Sequence, residues 1–350
     1  MKNNKKSLFP LNWNPPQDWL KFTTIDAHTE GEPLRIILDG YQELPGETIL
    51  EKRRYAKEHY DDLRKALMWE PRGHADMYGC IIIPPITPQA DLGVLFLHNE
   101  GYSTMCGHGI IAVTKVVLET GMFAKQAPQT CLNIDTPAGL VHTCAKIEAG
   151  KVRRVYFHNV PSFVFLLDQT VQVPGIGWVK FDIAFCGAFY AFVDADELGI
   201  EMIPENFRLL IEKGMDIKWA VMQNFPIEHP FQPDLNFLYG TIFTGKALGK
   251  KADSRNVCIF ADGEVDRSPT GTGVSARMAL HFTRGEIGLN QPVVIEGLIG
   301  STFTGSVVEE TVFGSYRAVI PRVEGTAFIT GKNEFFIDPE DPLKNGFLLR

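Results

Sequence analysis

The chain has 350 residues, which is enough for two domains of ordinary size. Hydrophobic residues make up 45% and charged residues 22%, a balance typical of soluble globular proteins. A net charge of −8 argues against a nucleic-acid surface, which needs a basic face, and no apolar run is long enough to suggest a membrane partner.

The first twenty residues predict a loosely ordered leader. They contain lysines and three prolines, but they lack the apolar segment of a secretory signal. A cytoplasmic location is therefore expected.

The segments that follow predict an α+β fold. β-Branched and aromatic residues between Gly, Pro and Asn indicate strands at 22–27, 34–38, 80–83, 94–97, 141–147, 155–157, 178–185, 237–243, 257–260, 293–295 and 317–320. Helices are predicted at 47–69, at 205–213 ending before Gly214, and within 216–223. Because the strands do not alternate regularly with helices, curled and mostly antiparallel sheets are expected rather than a doubly wound parallel sheet.

A motif occurs twice in the chain. Aligning Cys106 with Thr270 makes glycines 107, 109 and 121 coincide with glycines 271, 273 and 285. Each copy predicts a glycine-rich turn, a short helix and a glycine stop. The repeat predicts two similar halves with a cleft between them. The first covers 21–185 with the Cys106 helix and is completed by 332–350, and the second covers 186–331 with the Thr270 helix.

The two predicted helix starts are suited to an anion. The first N–H groups of a helix lack intrahelical partners and carry partial positive charge, so Gly107-His108 and Gly271-Thr272 are expected to grip one carboxylate from two sides. A phosphate is the rival ligand, although neither turn contains a Lys or Arg and the phosphate-loop signature is missing.

Cys106 and Thr270 occupy equivalent positions but differ in chemistry. A helix start is expected to lower the pKa of the Cys106 thiol, which makes it a nucleophile or a proton acceptor, unless it is only a buried cysteine at a tight turn. A threonine hydroxyl does not ionise near neutral pH, so proton exchange on one face of a carbon is predicted. Thr270 is equally suited to cap its helix.

Two further polar residues adjoin the motifs. Asp266 is a candidate partner for a substrate ammonium, or alternatively for Arg267 or Arg277 in a salt bridge. His108 is expected either to hold the substrate or to pack as an ordinary core residue.

The other cysteines give no sign of a site. Residues 80, 131, 144, 186 and 258 lie mostly in apolar runs without CxxC or zinc-ligand spacing, so they are expected to be unpaired buried hydrophobes in a reducing cytosol, and no metal site is predicted. The sequence gives Cys186 no role.

The motifs taken together resemble the proline racemase family. The two main segments are 98–109 (HNEGYSTMCGHG) and 266–276 (DRSPTGTGVSA). Further similar segments are 26–33, 71–79, 135–139, 159–162, 303–305 and 327–331, so that only the leader lies outside.

This resemblance implies two facing halves like those of diaminopimelate epimerase, each a curled sheet around a central helix. It also implies no cofactor, a small imino acid as substrate, and a possible homodimer. Carried over by motif position, residues 107, 108, 271 and 272 would hold the carboxylate, and Asp266 the ring nitrogen. Tyr78 and Phe260 would pack against the proline ring of the substrate, unless they are ordinary core residues.

The presence of threonine at position 270 is a departure from the family's racemases and hydroxyproline epimerases, which carry a cysteine at both helix starts. The combination of Cys106 with Thr270 resembles the trans-3-hydroxy-L-proline dehydratases of the family, in which Cys106 would be the general base. The alternatives are a proline racemase or 4-hydroxyproline epimerase, and a non-catalytic imino-acid binder.

Overall fold

The computed structural model describes residues 13–349, which contain eighteen strands joined in one connected sheet system and five α-helices. The first nine strands are β1 (Leu20–Thr29), β2 (Glu32–Asp39), β3 (Tyr78–Ile83), β4 (Leu92–His98), β5 (Tyr102–Ser103), β6 (Gln129–Thr136), β7 (Gly139–Glu148), β8 (Lys151–His158) and β9 (Ser162–Val173). The next nine are β10 (Gly177–Phe185), β11 (Phe189–Asp194), β12 (Leu238–Gly245), β13 (Ser254–Phe260), β14 (Glu264–Val265), β15 (Val293–Glu296), β16 (Thr302–Phe313), β17 (Tyr316–Gly325) and β18 (Ala327–Ile337). The helices are α1 (Ile49–His59), α2 (Asp61–Met68), α3 (Gly107–Glu119), α4 (Phe207–Asn224) and α5 (Gly271–Thr283).

Strands β1–β9 and β10–β18 repeat one pairing pattern. In the first set, β1–β2, β3–β4 and β6–β7 are antiparallel, whereas β2–β3 and β4–β6 are parallel. In the second set, β10–β11, β12–β13 and β15–β16 are antiparallel, whereas β11–β12 and β13–β15 are parallel. The predicted α+β fold with two pseudo-symmetric, mostly antiparallel halves is confirmed.

The two sets of strands also pair with each other. Strand β18, which includes residues 332–337, pairs with β1, while β9 pairs with β10 and β8 with β17. The first copy of the strand repeat ends with β9 at Val173, and the second begins with β10 at Gly177. The boundary predicted from the sequence lies later, after residue 185. The division into 21–185, 186–331 and 332–350 stays a prediction.

Helices α3 and α5 are the central helices of the two halves. Both have 13 residues, and the predicted glycine stops follow them, with Gly121 at φ 79° and Gly285 at φ 71°. Helix α3 packs on β1, β7, β8 and β18, and α5 packs on the equivalent strands β10, β16, β17 and β9. Both helices are buried over most of their length because sheet surrounds them, which explains their apolar sequences.

Two helix predictions were wrong in detail. The single helix expected over 47–69 is two helices, because the chain leaves helical geometry at Tyr60 (φ −127°, ψ 17°) and Asp61 pairs with Arg64 at the start of α2. The break expected at Gly214 does not occur, and α4 runs through it. A β-carbon at Gly214 would lie 2.6 Å from Ile259 Cγ1, so this glycine allows the helix to approach β13 closely.

Cys131 and Cys144 do not behave as predicted. They lie opposite each other on β6 and β7 and form a disulfide bond. Sequence spacing gave no sign of this pair because cross-strand register brings them together. The free cysteines within residues 13–349 are Cys80, Cys106, Cys186 and Cys258, and all four are buried.

The predicted leader lies mostly outside the described residues, since the description begins at residue 13 and β1 begins at Leu20. Among the helices of residues 13–349, none combines the length and the apolar character needed to cross a membrane.

Candidate active site

The two helix starts of the repeat face each other in backbone contact. A β-carbon added at Gly107 would lie 2.6 Å from Gly271 Cα, and one added at Gly271 would lie 2.8 Å from Gly107 Cα. Real β-carbons do not approach other atoms so closely. Glycine at both positions therefore allows the N-termini of α3 and α5 to meet.

A small cavity lies beside this contact. The structure places around it all nine residues singled out from the sequence, namely Tyr78, Cys106, Gly107, His108, Phe260, Asp266, Thr270, Gly271 and Thr272. Four residues that the sequence did not single out also line it, namely Met105, Tyr190, Tyr239 and Cys258. The nine residues thus lie together in space, and their individual roles stay predictions.

Cys106 is the N-cap of α3, and its sulfur accepts a hydrogen bond from Gly109 N at 3.3 Å. Its side chain is buried at 4% exposure. Burial raises the pKa of the Cys106 thiol well above its usual range, the Gly109 N–H opposes this, and the nearby Asp266 carboxylate adds to the rise. The expected lowering of the pKa was wrong, because desolvation outweighs the favourable effect of the helix start.

His108 lies against the Cys106 thiol. Its Nδ1 is 3.2 Å and its Nε2 3.7 Å from Cys106 Sγ, and its ring packs edge-on to Tyr78 with centroids 4.9 Å apart. Burial lowers the pKa of His108, although the Asp266 carboxylate opposes this. The neutral imidazole is therefore favoured, and it can accept a hydrogen bond from the thiol.

Thr270 holds a strained backbone at the start of α5. Its φ of 64° falls in the left-handed region, which a β-branched residue rarely adopts. It stands at the N-cap position, but its side chain makes no capping hydrogen bond. Its Oγ1 is buried without a hydrogen-bond partner of good geometry among the described residues. The hydroxyl is therefore not committed to capping, and it remains able to bond to a ligand.

Asp266 is a buried carboxylate. Within residues 13–349, neither Arg267 nor Arg277 forms a salt bridge with it. Its Oδ1 accepts a hydrogen bond from Ser268 N at 2.8 Å. Arg267 instead pairs with Asp76 at 3.1 Å, and the guanidinium of Arg277 bonds to other residues around β13. The salt-bridge alternative considered from the sequence is therefore not what the structure contains.

A second buried carboxyl, Glu32 at the start of β2, was missed by sequence reasoning. It is fully buried, and its Oε2 accepts a hydrogen bond from Arg267 N at 2.8 Å, which links the two halves. Burial and then the Asp266 carboxylate raise the pKa of Glu32 well above its usual range. The burial of Glu32 therefore favours its uncharged form.

Aromatic rings form the remaining wall of the cavity. The Phe260 ring lies 5.4 Å from that of Tyr239 and 6.1 Å from that of Tyr78, measured between centroids. Tyr190 OH lies 2.9 Å from Thr272 Oγ1, and Tyr239 OH lies 3.5 Å from Tyr78 OH. Three tyrosine hydroxyls therefore add polar groups to an otherwise apolar wall.

Cys258 was expected to be a plain core residue, but it lines the cavity as well as being buried. Burial raises the pKa of its thiol well above the usual range, and a contact with the Thr270 hydroxyl opposes this rise. Cys186 is buried without lining the cavity, and its backbone carbonyl accepts a hydrogen bond from Asn159 at 2.9 Å.

These features define a class of protein. Two pseudo-symmetric α+β halves hold a small site between facing helix starts, with a thiol available for proton transfer and a carboxylate available for ion pairing. A site of this kind suits a small zwitterion whose carboxylate meets the helix starts.

The family follows from comparison with known proteins. The sequence profile of the proline racemase family matches residues 24–348, and the chain belongs to that family. Among its relatives, a trans-3-hydroxy-L-proline dehydratase of Colwellia psychrerythraea is 49% identical over 341 residues, which cover 97% of this chain and 96% of the relative. A human protein of the same name is 47% identical over 334 residues, which cover 94% of each chain.

A solved structure shares the fold over nearly the whole length. The hydroxyproline epimerase of Agrobacterium vitis, crystallised with trans-4-hydroxy-L-proline, superimposes with a TM-score of 0.90 at 32% identity. The match covers 95% of this chain and 96% of the epimerase.

Proposed function

We propose that this protein is a trans-3-hydroxy-L-proline dehydratase, a lyase that removes water to give Δ1-pyrroline-2-carboxylate. The observation that carries the proposal is the asymmetry of the paired helix starts. Cys106 presents a thiol at the start of α3. Thr270 presents a hydroxyl at the start of α5, and a hydroxyl cannot exchange a proton with a substrate carbon as a thiol does. The high identity to relatives with this name supports the same choice.

In the proposed complex, the substrate carboxylate accepts hydrogen bonds from the free N–H groups at the starts of α3 and α5. Asp266 pairs with the ring ammonium, and Tyr78 and Phe260 contact the ring. This arrangement directs the Cα–H towards Cys106. The N–H groups stabilise the negative charge that develops when the proton leaves, because they are preorganised in a largely buried site.

The proton balance involves His108. The raised pKa of Cys106 keeps its thiol protonated at neutral pH, so the thiol must lose its proton before it can act as a base. The neutral His108 ring, 3.2 Å away, is placed to accept that proton, and this transfer costs free energy in the free protein because burial raises the pKa of the thiol and lowers that of His108. In the trans isomer the 3-hydroxyl lies on the same ring face as the Cα–H. The Cys106 thiolate therefore takes the Cα proton and returns it to the departing hydroxyl as water leaves.

Substitution of Cys106 tests the general-base role. Cys106→Ser keeps an acceptor for Gly109 N, since serine is a good N-cap, but a serine hydroxyl is not a comparable base. We expect turnover to fall by about 100- to 10,000-fold, while calorimetry still detects substrate binding. Retention of wild-type turnover in this variant would exclude the role.

One observation favours a second function, that of a proline racemase or 4-hydroxyproline epimerase. The Cys258 thiol lines the cavity close to Thr270 and could serve the opposite face of the substrate. In that case L-proline in D2O would yield D-proline, and Cys258→Ser would abolish this conversion. If no D-proline forms, Cys258 is not a second base.

We also infer a cytoplasmic homodimer, a prediction made from the sequence and the family resemblance. Size-exclusion chromatography with light scattering tests the assembly. A purely monomeric mass would contradict it.

A further inference from the structure

A group of side chains with metal-binding chemistry lies on the β6–β7 hairpin, outside the catalytic cavity. Cys131 on β6 lies opposite Cys144 on β7, and Asn133 lies opposite His142. Because side chains alternate along a strand, these four lie on one face of the hairpin. Neither cysteine has a part in the proposed dehydratase mechanism.

The potential ligand atoms are close together. The sulfurs of Cys131 and Cys144 and a ring nitrogen of His142 all lie within 4.8 Å of one another, and His142 Nε2 is 3.3 Å from Cys144 Sγ. Sulfur and nitrogen ligands of one tetrahedral Zn²⁺ lie roughly 3.5–3.8 Å apart. Small side-chain rotations would bring the three atoms to this spacing once the sulfurs are no longer bonded to each other.

A hydrogen bond orients the histidine as a ligand. His142 Nδ1 lies 2.9 Å from Asn133 Oδ1, and since a carbonyl oxygen can only accept, Nδ1 carries the proton. Nε2 therefore has its lone pair free and directed at the cysteine sulfur. Metal-binding histidines generally have their second ring nitrogen held in this way.

The neighbouring strand β8 places further side chains on the same face. Tyr156 lies opposite Cys144, and the Arg322 guanidinium sits 4.0 Å from the centre of the Tyr156 ring. His158 lies opposite His142, and their ring centroids are 5.7 Å apart. This places a further imidazole beside the face that carries the three ligand atoms.

We propose that reduced Cys131 and Cys144, together with His142 Nε2, form a binding site for one thiophilic divalent cation such as Zn²⁺. The disulfide seen in the structure is the metal-free, oxidised state of the same site. A dithiol reductant opens it: two electrons and two protons pass to the sulfurs, and the reductant becomes a disulfide. The cation then displaces the two thiol protons and bonds to both thiolates.

Cobalt(II) is the probe for this site because its absorption reports thiolate ligands and tetrahedral geometry. The full-length protein is reduced with dithiothreitol, freed of reductant under anaerobic conditions, and titrated with Co²⁺. We expect saturation at one equivalent, with a thiolate-to-cobalt charge-transfer band and visible bands of tetrahedral cobalt. Zn²⁺ should abolish these bands, and the oxidised protein should not show them.

Variants separate this site from the catalytic thiols. Cys131→Ser, at an exposed position, should lose the charge-transfer intensity, and His142→Gln should weaken Co²⁺ binding at least about tenfold. Cys106→Ser is the control and should keep the bands. Circular dichroism verifies that each variant is folded.

The proposal is overturned if reduced wild-type protein shows no bands, or if Cys131→Ser keeps them at full strength. Loss of the bands in Cys106→Ser would place the cation in the catalytic cavity instead. Alkylation followed by mass spectrometry gives a second measurement, since Zn²⁺ should protect Cys131 and Cys144 together. Equal alkylation with and without Zn²⁺ would also overturn it.

Discussion

Substitution of Gly107 by alanine should separate the two helix starts and thereby disable the site. The added β-carbon would lie 2.6 Å from Gly271 Cα, whereas ordinary contacts begin at 3.4 Å. The helix starts must therefore move apart by about 0.8 Å, because both neighbours are backbone and cannot rotate away. A displacement of this size should lower kcat/KM by about 100-fold, and overpacking should lower the free energy of unfolding by about 1–3 kcal/mol.

The assay combines turnover of trans-3-hydroxy-L-proline with urea unfolding. Gly288→Ala is the matched control, since a β-carbon there meets nothing within 4 Å and its φ is outside the left-handed region. It should behave as wild type in both measurements. Wild-type kcat/KM in Gly107→Ala would refute the claim that contact between the helix starts positions the substrate.

Three further predictions concern buried titrating and polar groups in and near the cavity. Thr270→Val removes a buried hydroxyl that has no hydrogen-bond partner of good geometry but keeps the shape, so urea unfolding should show unchanged or raised stability, by up to about 3 kcal/mol, while kcat/KM falls at least about tenfold. Glu32 has a pKa in the folded protein well above its usual 4.5. Its contribution to the free energy of unfolding is therefore full below the unfolded-state pKa and is lost as pH rises through the folded-state pKa. Melting temperatures should therefore show Glu32→Gln gaining stability over wild type from about pH 4 to about pH 7. Alkylation of Cys106 by iodoacetamide, followed by mass spectrometry, should still accelerate above pH 9.0, because burial raises the pKa of that thiol.

Each of these predictions has a contrary outcome. Lower stability in Thr270→Val would mean that the hydroxyl has a partner in the folded protein. A stability difference for Glu32→Gln that does not change with pH would mean that Glu32 does not titrate in this range. A plateau of Cys106 alkylation near neutral pH would restore the low pKa first expected from the sequence.

The fold was predictable because the sequence repeats a motif with strict local requirements. Glycines 107 and 271 are needed where backbones touch, and glycines 121 and 285 end their helices with positive φ. These requirements are local, so they are visible in the chain. Gly214 shows the limit, because a glycine that ends one helix looks the same in sequence as one that lets a helix approach a strand.

The site was predictable only where it is built from the motifs. Tyr190, Tyr239 and Cys258 lie on strands whose apolar neighbours make them resemble ordinary core residues. They reach the cavity only because of strand register and sheet curvature. The disulfide between Cys131 and Cys144 depends on register in the same way.

The pKa of Cys106 depends on how completely the two halves exclude water. The sequence shows a helix start at this cysteine, which lowers a thiol pKa, but it does not show the burial that outweighs that effect. For the same reason the contact between His108 and the Cys106 sulfur was not foreseen, since it depends on the rotamers of two buried side chains.

The central claim is that one thiol exchanges a proton on one face of the substrate carbon. The purified protein should be incubated with trans-3-hydroxy-L-proline, without added metal or cofactor, and the product trapped with o-aminobenzaldehyde, while L-proline in D2O is followed in parallel. The account predicts a pyrroline adduct and no D-proline. Formation of D-proline, or no reaction with either substrate, would contradict it.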